Sequence, residues 1–249
     1  MNLCERAIVL AAGVSKRLRP LTNNMPKTLL PLNDRETIFS RALKILNKNG
    51  IRELYIIVGY RGSKILESIE NIMDDFNFDI IDIIYNSYYS SRNNIWSYYL
   101  ARNAMDDDFI LLNSDVVFHE EILKKILNVE HSVLAVDDIK QLGMEEMKVI
   151  MDNNGKVLDI SKEIDPKKAH GEYIGLAKIL SDDSLKILKA VEDLFKSNRY
   201  DVFYEEAIRL AINSYGLDIY GISTDGFPWI EVDTLDDYIK LLTEIYKKL

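Results

Sequence analysis

The sequence is poor in cysteine and histidine, and this scarcity excludes several kinds of protein. Its single cysteine, Cys4, cannot form an intrachain disulfide. Cys4 also precedes the first predicted strand and has no evident catalytic partner, so we do not expect thiol chemistry. The three histidines, at positions 119, 131 and 170, form no evident dyad. We therefore expect neither a disulfide framework nor histidine-assisted nucleophilic catalysis.

Long apolar runs and basic stripes are also missing. No run approaches the roughly 18 apolar residues of a transmembrane span, and residues 1–6 lack the apolar core of a signal peptide. The 31 basic residues are scattered and outnumbered by 40 acidic ones, which gives a formal charge of −9. A nucleic-acid groove would need a basic stripe. We expect a cytoplasmic protein without a membrane span or a nucleic-acid partner.

The loop after the first strand lacks the residues of two common phosphate-binding motifs. It has neither the lysine-serine ending of a P-loop nor the three glycines of a dinucleotide fingerprint, and this argues against an NAD-dependent oxidoreductase. It does combine Gly13 with Lys16, Arg17 and Lys27. Exposed backbone N–H groups together with fixed cations can hold a polyphosphate. The pattern therefore predicts a phosphate-binding loop.

Alternating strand and helix patterns predict an α/β fold. Short apolar runs are typical of buried parallel strands, and apolar residues at helical spacing separate them. The predicted strands are 7–11, 54–59, 80–84 and 109–112, and the predicted helices are 37–49, 65–73 and one capped by Asn94. This βαβαβ order predicts a doubly wound, mainly parallel mixed sheet of the Rossmann-like type.

The second half of the chain predicts antiparallel additions and a helical C-terminal tail. Asn154-Gly155 is a strong hairpin signal between strands 148–151 and 156–160. The other predicted strands are 173–179, 217–220 and 229–232, and the other helices are 181–196, 202–213 and 235–247. Because no linker interrupts the pattern, we predict a single domain over 1–249. Its nucleotide-binding core covers about 1–135, and about 136–249 completes it and binds the acceptor.

Carboxylates follow two of the predicted strands. Asp115 comes just after the strand at 109–112, and Glu231 and Asp233 accompany the strand at 229–232. Ligands of open α/β sheets collect beyond the carboxyl ends of the strands. Magnesium prefers a few carboxylates together with substrate phosphates and water. We therefore predict a Mg²⁺ site made by Asp115, Glu231 and Asp233, although Asp115 or Asp233 could alternatively cap a helix.

These segments resemble one known family. Leu10 to Gly13, Arg17-Leu18 and Pro26-Lys27 together resemble the signature loop of the nucleotidyltransferases that activate sugar phosphates and small phosphorylated alcohols. Asn113-Ser114-Asp115 and 229–234 match the positions of the two metal-binding aspartates of that family. Ile160-Ser161-Lys162 and 171–175 resemble its acceptor segments, so the matches span 7–237 in the family's order. One departure is Ser15, where the commonest pattern has a glycine that tolerates positive φ.

A second segment points to a subfamily. Asn93-Asn94-x-x-Ser97-x-x-Leu100, preceded by Tyr85-Asn86, resembles the bacterial choline-phosphate cytidylyltransferases. It also resembles their relatives that act on aminoethylphosphonate, inositol phosphate or phosphorylated amino-acid derivatives. The resemblance implies Mg²⁺-dependent transfer of CMP from CTP to a small phosphorylated or phosphonate acceptor, with release of pyrophosphate. Alternatives are a sugar-1-phosphate nucleotidylyltransferase that uses UTP, dTTP or GTP, and a catalytically silent nucleotide-binding module.

The resemblance implies a role for each predicted site residue. Arg17, Lys27 and Lys162 would be catalytic, holding the triphosphate and the acceptor phosphate. The nucleotide-binding residues would be Leu10, Ala11, Ala12, Gly13, Val14, Ser15, Lys16, Asn86, Asn94, Ser97 and Ser114. The acceptor-binding candidates are Glu172, Tyr173, Trp96 and Trp229. Phosphocholine would favour aromatic faces, whereas the primary amine of 2-aminoethylphosphonate would favour carboxylates. The apolar face of the tail fits either a homodimer interface or packing on its own core.

Overall fold

The computed structural model of the protein describes residues 4–249. The expectation that residues 1–6 lack a signal-peptide core therefore falls partly on residues 1–3, which lie outside the described residues. The strands are β1 (Arg6–Ala11), β2 (Glu53–Val58), β3 (Ile80–Tyr85), β4 (Phe109–Asn113), β5 (Val116–Phe118), β6 (Val133–Asp137), β7 (Lys148–Met151), β8 (Val157–Ser161), β9 (Gly171–Ile179), β10 (Tyr220–Ser223) and β11 (Trp229–Glu231). The helices are α1 (Ile38–Lys48), α2 (Gly62–Ile72), α3 (Asn94–Leu100), α4 (Glu120–Leu127), α5 (Ser181–Lys196), α6 (Glu205–Tyr215) and α7 (Leu235–Lys240).

The central sheet confirms the predicted doubly wound α/β fold. Its strand order is β10-β6-β9-β4-β1-β2-β3, and the four strands β3, β2, β1 and β4 pair in parallel. β9 runs antiparallel to both β4 and β6, while β6 and β10 are parallel to each other. The sheet is therefore mainly parallel but mixed, and strands from both halves of the chain build it.

Apolar side chains on both faces of the sheet form its two main cores. Alternate residues of β1 point to opposite faces, so that Ile8 and Leu10 join the core containing α3, α5 and α6. Ala7 and Val9 join the core containing α1, α2 and α4. Strands covered on both sides must be apolar throughout, which explains the continuous runs that identified them in the sequence.

The antiparallel additions also agree with the sequence in part. β7 and β8 pair as the predicted hairpin, and Gly155 occupies its turn with φ of +80°. β10 lies three residues beyond the predicted strand 217–220, and α6 lies two to three residues beyond the predicted helix 202–213. β5, α4 and β6 were not predicted at all. Asn93 rather than Asn94 caps α3, because the Asn93 side chain accepts the hydrogen bond from the N–H group of Asn94.

The C-terminal tail is helical over nearly the predicted range, but only its first part, α7, is a regular α-helix. After α7 it continues as a π-helical segment, Leu241–Ile245, and ends in a 3₁₀ turn, Tyr246–Lys248. Its apolar residues pack with Leu18, Leu30 and Val117 in a third cluster, which buries Leu241 completely. The tail therefore supports the loop that follows β1. No helix within residues 4–249 has the length and apolar character needed to cross a membrane.

Candidate active site

A cleft of about 450 Å³ opens beyond the carboxyl ends of β1 and β4. Its lining includes the loop from Gly13 to Arg17 together with Met147, Lys162 and Glu205 from the second half of the chain. This position at the carboxyl edge of the sheet is where open α/β folds bind ligands. The cleft brings together every predicted catalytic, nucleotide-binding and metal-binding residue, and of the four acceptor candidates it includes only Tyr173.

The loop after β1 presents free backbone donors to the cleft. Among the described residues, none accepts a hydrogen bond from the N–H groups of Gly13, Val14 and Ser15. The loop is nevertheless held in place, because the Thr22 hydroxyl donates to the Ser15 carbonyl at 2.8 Å and Leu18 is buried. Unpaired N–H groups on a fixed backbone form a binding site for anions.

Ser15, which stands where the commonest family pattern has a glycine, adopts the left-handed backbone conformation. Its φ and ψ are 53° and 47°, which lie in the positive-φ region that a glycine tolerates. A residue with a side chain is less stable than glycine in this conformation by roughly 1–2 kcal/mol. The chain therefore holds a strained residue in the loop after β1.

Replacement of Ser15 by valine should destabilise the loop, whereas Ser15→Gly should not. A β-branched side chain at positive φ adds crowding, and we expect Ser15→Val to lower the free energy of unfolding by about 1–2 kcal/mol relative to Ser15→Gly. Urea denaturation of the two variants measures this difference. Equal stabilities would mean that the loop does not require positive φ at this position.

The three predicted metal ligands converge because two short strands pair. β5 and β11 form an antiparallel ribbon in which Val116 lies opposite Glu231. The N–H group of Val232 also donates to the Asp115 carbonyl at 3.0 Å. Asp115 and Asp233 consequently meet from distant parts of the sequence, and one carboxylate oxygen each from Asp115, Glu231 and Asp233 lies within 4.8 Å of the others.

Neither Asp115 nor Asp233 serves as a helix cap. β5 rather than a helix follows Asp115, and Thr234 caps α7 by accepting a hydrogen bond from the N–H group of Asp237. The side chain of Asp233 is directed instead to the cations of the loop after β1. The capping alternative considered from the sequence is therefore wrong for both residues.

Two cations of the loop are paired with these carboxylates. The ammonium group of Lys27 lies 2.5 Å from Asp115 Oδ2 and 2.6 Å from Asp233 Oδ1. Arg17 lies 2.6 Å from the other oxygen of Asp233. Desolvation alone would lower the pKa of Lys27, but Asp115 and Asp233 outweigh it and raise the pKa. Lys27 is therefore a fixed positive charge at the centre of the site.

The carboxylate cluster also fits a divalent cation. Asp115 Oδ1 is buried and has no hydrogen-bond partner among residues 4–249. Desolvation by the surrounding protein, and then the charges of Asp115 and Asp233, raise the pKa of Glu231 above its ordinary value. Three crowded carboxylates, one with an unsatisfied oxygen, provide the hard oxygen donors that magnesium prefers.

The amide side chains at the α3 end of the cleft have their oxygens already occupied. Asn86 Oδ1 accepts from the N–H group of Tyr88, and its Nδ2 donates to Ser97 Oγ at 3.0 Å. Asn94 Oδ1 accepts from the N–H group of Tyr204 at 2.8 Å. Each amide nitrogen carries two hydrogens. At least one N–H donor on each of these two side chains is therefore not used within residues 4–249.

Trp96, Trp229 and Glu172 do not line the cleft, because each is engaged elsewhere. Trp96 packs among Tyr88, Tyr99, Phe195 and Tyr200. Trp229 Nε1 donates to Asp137 at 2.8 Å. The buried carboxylate of Glu172 pairs with Lys140 at 2.6 Å. These three acceptor candidates are therefore not placed where a ligand in the cleft would meet them.

Several residues that line the cleft were not predicted as site residues. They include Arg92, Glu145, Met147, Phe203 and Glu205. Glu205 was missed because an acidic residue in the first turn of a helix usually complements the helix dipole. Burial distinguishes it, since only 4% of Glu205 is exposed, and nothing in its local sequence reports that burial.

The fold and the site together define a nucleotide-handling α/β enzyme, and comparison with known proteins identifies its family. The nucleotidyl transferase family model matches residues 6–248. The chain therefore belongs to the nucleotidyltransferase family, as its motifs predicted.

Individual relatives cover nearly the whole chain. It is 25% identical to choline-phosphate cytidylyltransferase of Streptococcus pneumoniae over 95% of this chain and 96% of the relative. It is 27% identical to the bifunctional protein GlmU of Methanococcus maripaludis over 98% of this chain and 56% of that protein. The solved inositol-1-phosphate CTP transferase from T. maritima is 23% identical with a TM-score of 0.78, covering 99% of this chain and 98% of the other. The predicted resemblance to cytidylyltransferase-like members is confirmed.

Proposed function

We propose that this enzyme transfers CMP from CTP to a small phosphorylated or phosphonate acceptor. An acceptor oxygen attacks the α-phosphorus of CTP. The bond between that phosphorus and the oxygen that joins it to the β-phosphorus breaks, and pyrophosphate leaves. The observation that carries the proposal is the position of Lys27 between Asp115 and Asp233, beside the free N–H groups of the loop. This arrangement stabilises developing negative charge in the way that nucleotidyl transfer requires.

The loop residues would hold the triphosphate. The N–H groups of Gly13 to Ser15 and the guanidinium group of Arg17 bind the β- and γ-phosphates, and Lys27 binds the α-phosphate as negative charge develops there. Because Arg17 and Lys27 pair with Asp233 in this structure, both must exchange that carboxylate for phosphate oxygens during the reaction. The acceptor is already an anion at neutral pH, so the transfer needs no general base.

Asp115, Asp233 and Glu231 would hold the Mg²⁺ ion. When bound, this ion would neutralise phosphate charge and act as a Lewis acid. The carboxylates themselves position Lys27, whose ammonium group two of them contact directly. Lys162 would orient the acceptor phosphate, since it lines the cleft and its ammonium group lies 4.9 Å from the Phe203 ring centre.

The amide donors favour a cytosine base. Cytosine offers acceptors at both O2 and N3, whereas uracil and thymine carry a hydrogen at N3. The remaining N–H donors of Asn86 and Asn94 match these two acceptors of cytosine, and each side-chain oxygen is held by one hydrogen bond within the protein. The chain is similar to a choline-phosphate cytidylyltransferase and to an inositol-1-phosphate CTP transferase. Both names describe enzymes that use CTP or transfer a cytidylyl group.

Pyrophosphate release across nucleotides tests this assignment. With Mg²⁺ and phosphocholine, 2-aminoethylphosphonate, inositol phosphate or glucose-1-phosphate, we expect turnover with CTP to exceed that with UTP, dTTP, GTP and ATP. Asn94→Asp keeps the bond to Tyr204 but replaces the donor by an acceptor, and it should lower kcat/KM for CTP by about tenfold or more. Asn213→Asp on the exposed side of α6 is the matched control. A preference for UTP or dTTP with glucose-1-phosphate would instead identify a sugar-1-phosphate nucleotidylyltransferase.

A further inference from the structure

Five residues from the second half of the chain line the cleft and include two opposite charges. We call this group the acceptor end, and it consists of Met147, Lys162, Tyr173, Phe203 and Glu205. Lys162 supplies a positive charge and Glu205 a negative one. A small molecule that carries an anionic group and a cationic group would match this pair of charges.

Glu205 is a buried carboxylate with one oxygen that has no hydrogen-bond partner among residues 4–249. Only 4% of the residue is exposed, and no donor among residues 4–249 reaches its Oε2 atom. Burial raises the pKa of Glu205 to about 7, and the charge of Lys162 lowers it only in part. Burying a carboxylate oxygen without a hydrogen bond is costly, so a group that supplies N–H donors and positive charge would be bound here strongly.

The surroundings hold Glu205 in a fixed position. It is the first residue of α6, and the preceding Tyr204 is fully buried. The hydroxyl groups of Tyr204 and Tyr173 lie 2.9 Å apart, and the Tyr204 ring stacks on Tyr98. The carboxylate is therefore preorganised, which reduces the entropy lost when a ligand binds.

The nearby aromatic cluster is already filled by a cation of the protein. The guanidinium carbon of Arg92 lies 4.1, 3.9 and 4.5 Å from the ring centres of Tyr88, Trp96 and Tyr200. Three aromatic faces around one cation resemble the cages that hold quaternary ammonium groups. Because Arg92 occupies this cage, a trimethylammonium group has no free aromatic cage there.

We propose that Glu205 binds the primary ammonium group of an aminoalkyl phosphate or phosphonate acceptor, whose anionic end lies at Lys162. This inference rests on the proposed transfer of CMP and narrows its acceptor. A primary ammonium group offers three N–H donors to the carboxylate, whereas a trimethylammonium group offers none. A hydroxyl group supplies one donor but no charge to a buried carboxylate, so a polyol acceptor fits less well.

A series of acceptors that differ only in methylation tests the proposal. Phosphoethanolamine and its mono-, di- and trimethylated forms carry three, two, one and no N–H donors on the same skeleton. We expect kcat/KM with CTP to fall along the series, with phosphoethanolamine exceeding phosphocholine by about tenfold or more. 2-Aminoethylphosphonate, glycerol phosphate and inositol phosphate complete the panel. 2-Aminoethylphosphonate shows whether the enzyme prefers a phosphonate or a phosphate as the anionic group of the acceptor. Glycerol phosphate and inositol phosphate show whether a hydroxyl group can replace the ammonium group.

Glu205→Gln should remove this selectivity. We expect kcat/KM for phosphoethanolamine to fall about tenfold or more while that for phosphocholine and the KM for CTP stay nearly constant, because only the ammonium contact is lost. Glu206→Gln is the matched control, since Glu206 pairs with Arg199 at 2.9 Å and does not line the cleft. Thermal unfolding of both variants verifies that they are folded.

The outcomes separate this inference from the proposed function. Turnover of CTP that is as good with phosphocholine or a polyol phosphate as with phosphoethanolamine would overturn the role of Glu205 but preserve CMP transfer. A preference for phosphoethanolamine that survives Glu205→Gln would also overturn it. If CTP supports no pyrophosphate release with any acceptor in the panel, the proposed function fails and the inference fails with it.

Discussion

Replacement of Asp115 by asparagine is expected to lower the rate of CMP transfer by about a hundredfold or more. Asp115 contributes a buried oxygen without a partner and a second oxygen bonded to Lys27. Asparagine keeps the shape but removes the negative charge that pairs with Lys27 and that the proposed Mg²⁺ ion would need. Steady-state pyrophosphate release with CTP, measured over a range of Mg²⁺ concentrations, gives the size of the loss and shows whether more Mg²⁺ recovers part of it.

Asp236→Asn provides the control for this change. Asp236 is exposed in the first turn of α7, three residues from Asp233, and does not line the cleft. The same loss of one negative charge there should leave kcat within about threefold of the unchanged enzyme. An Asp115→Asn enzyme with nearly full activity at low Mg²⁺ would contradict the placement of the metal site at Asp115.

The parts of the fold that were predicted are those whose signal is local. β1, β2 and β4 are continuous apolar runs because both faces of the sheet are covered. The β7–β8 turn is visible in the sequence because Asn154-Gly155 supports a tight turn. β5 has only three residues and depends on pairing with β11, more than a hundred positions away. No local pattern reports such a pairing.

Val133–Asp137 shows a different reason for a missed element. This run is as apolar as those that identified the other strands, so its sequence carried a readable signal that the prediction did not use. By contrast, the position of β9 between β4 and β6 is a property of the whole sheet. Its antiparallel direction depends on which connections the chain makes and not on the residues of β9 alone.

In the candidate site too, local sequence predicted the positions of residues but not the contacts that depend on distant parts of the chain. The sequence placed Lys27, Asp115 and Asp233 at strand ends, because parallel strands gather their carboxyl ends at one edge. It did not predict that Lys27 would bridge the two aspartates, since that contact requires the β5–β11 ribbon. Likewise, Trp96 was a reasonable candidate for an acceptor cage, but Arg92 from the preceding turn fills the cluster around it.

Lys27→Met is expected to change catalysis and metal binding in opposite directions. The ammonium group of Lys27 occupies oxygens of Asp115 and Asp233, so it competes with a divalent cation for the same carboxylates. Methionine fills a similar volume without the charge. We expect CMP transfer to fall by about a hundredfold or more, because the α-phosphate loses its fixed cation, while Mn²⁺ binds the nucleotide-free enzyme several times more tightly.

Three measurements on the same variant establish whether Lys27 has both roles. Calorimetric titration with Mn²⁺ gives the affinity, pyrophosphate release gives the rate, and thermal unfolding with and without Mg²⁺ gives the stability. Without Lys27 the carboxylates repel one another, so Mg²⁺ should raise the Tm of Lys27→Met more than that of the unchanged enzyme. Lys240→Met, at an exposed position at the end of α7, should alter none of the three. Weaker Mn²⁺ binding by Lys27→Met would show that Lys27 supports the metal site rather than competing for it.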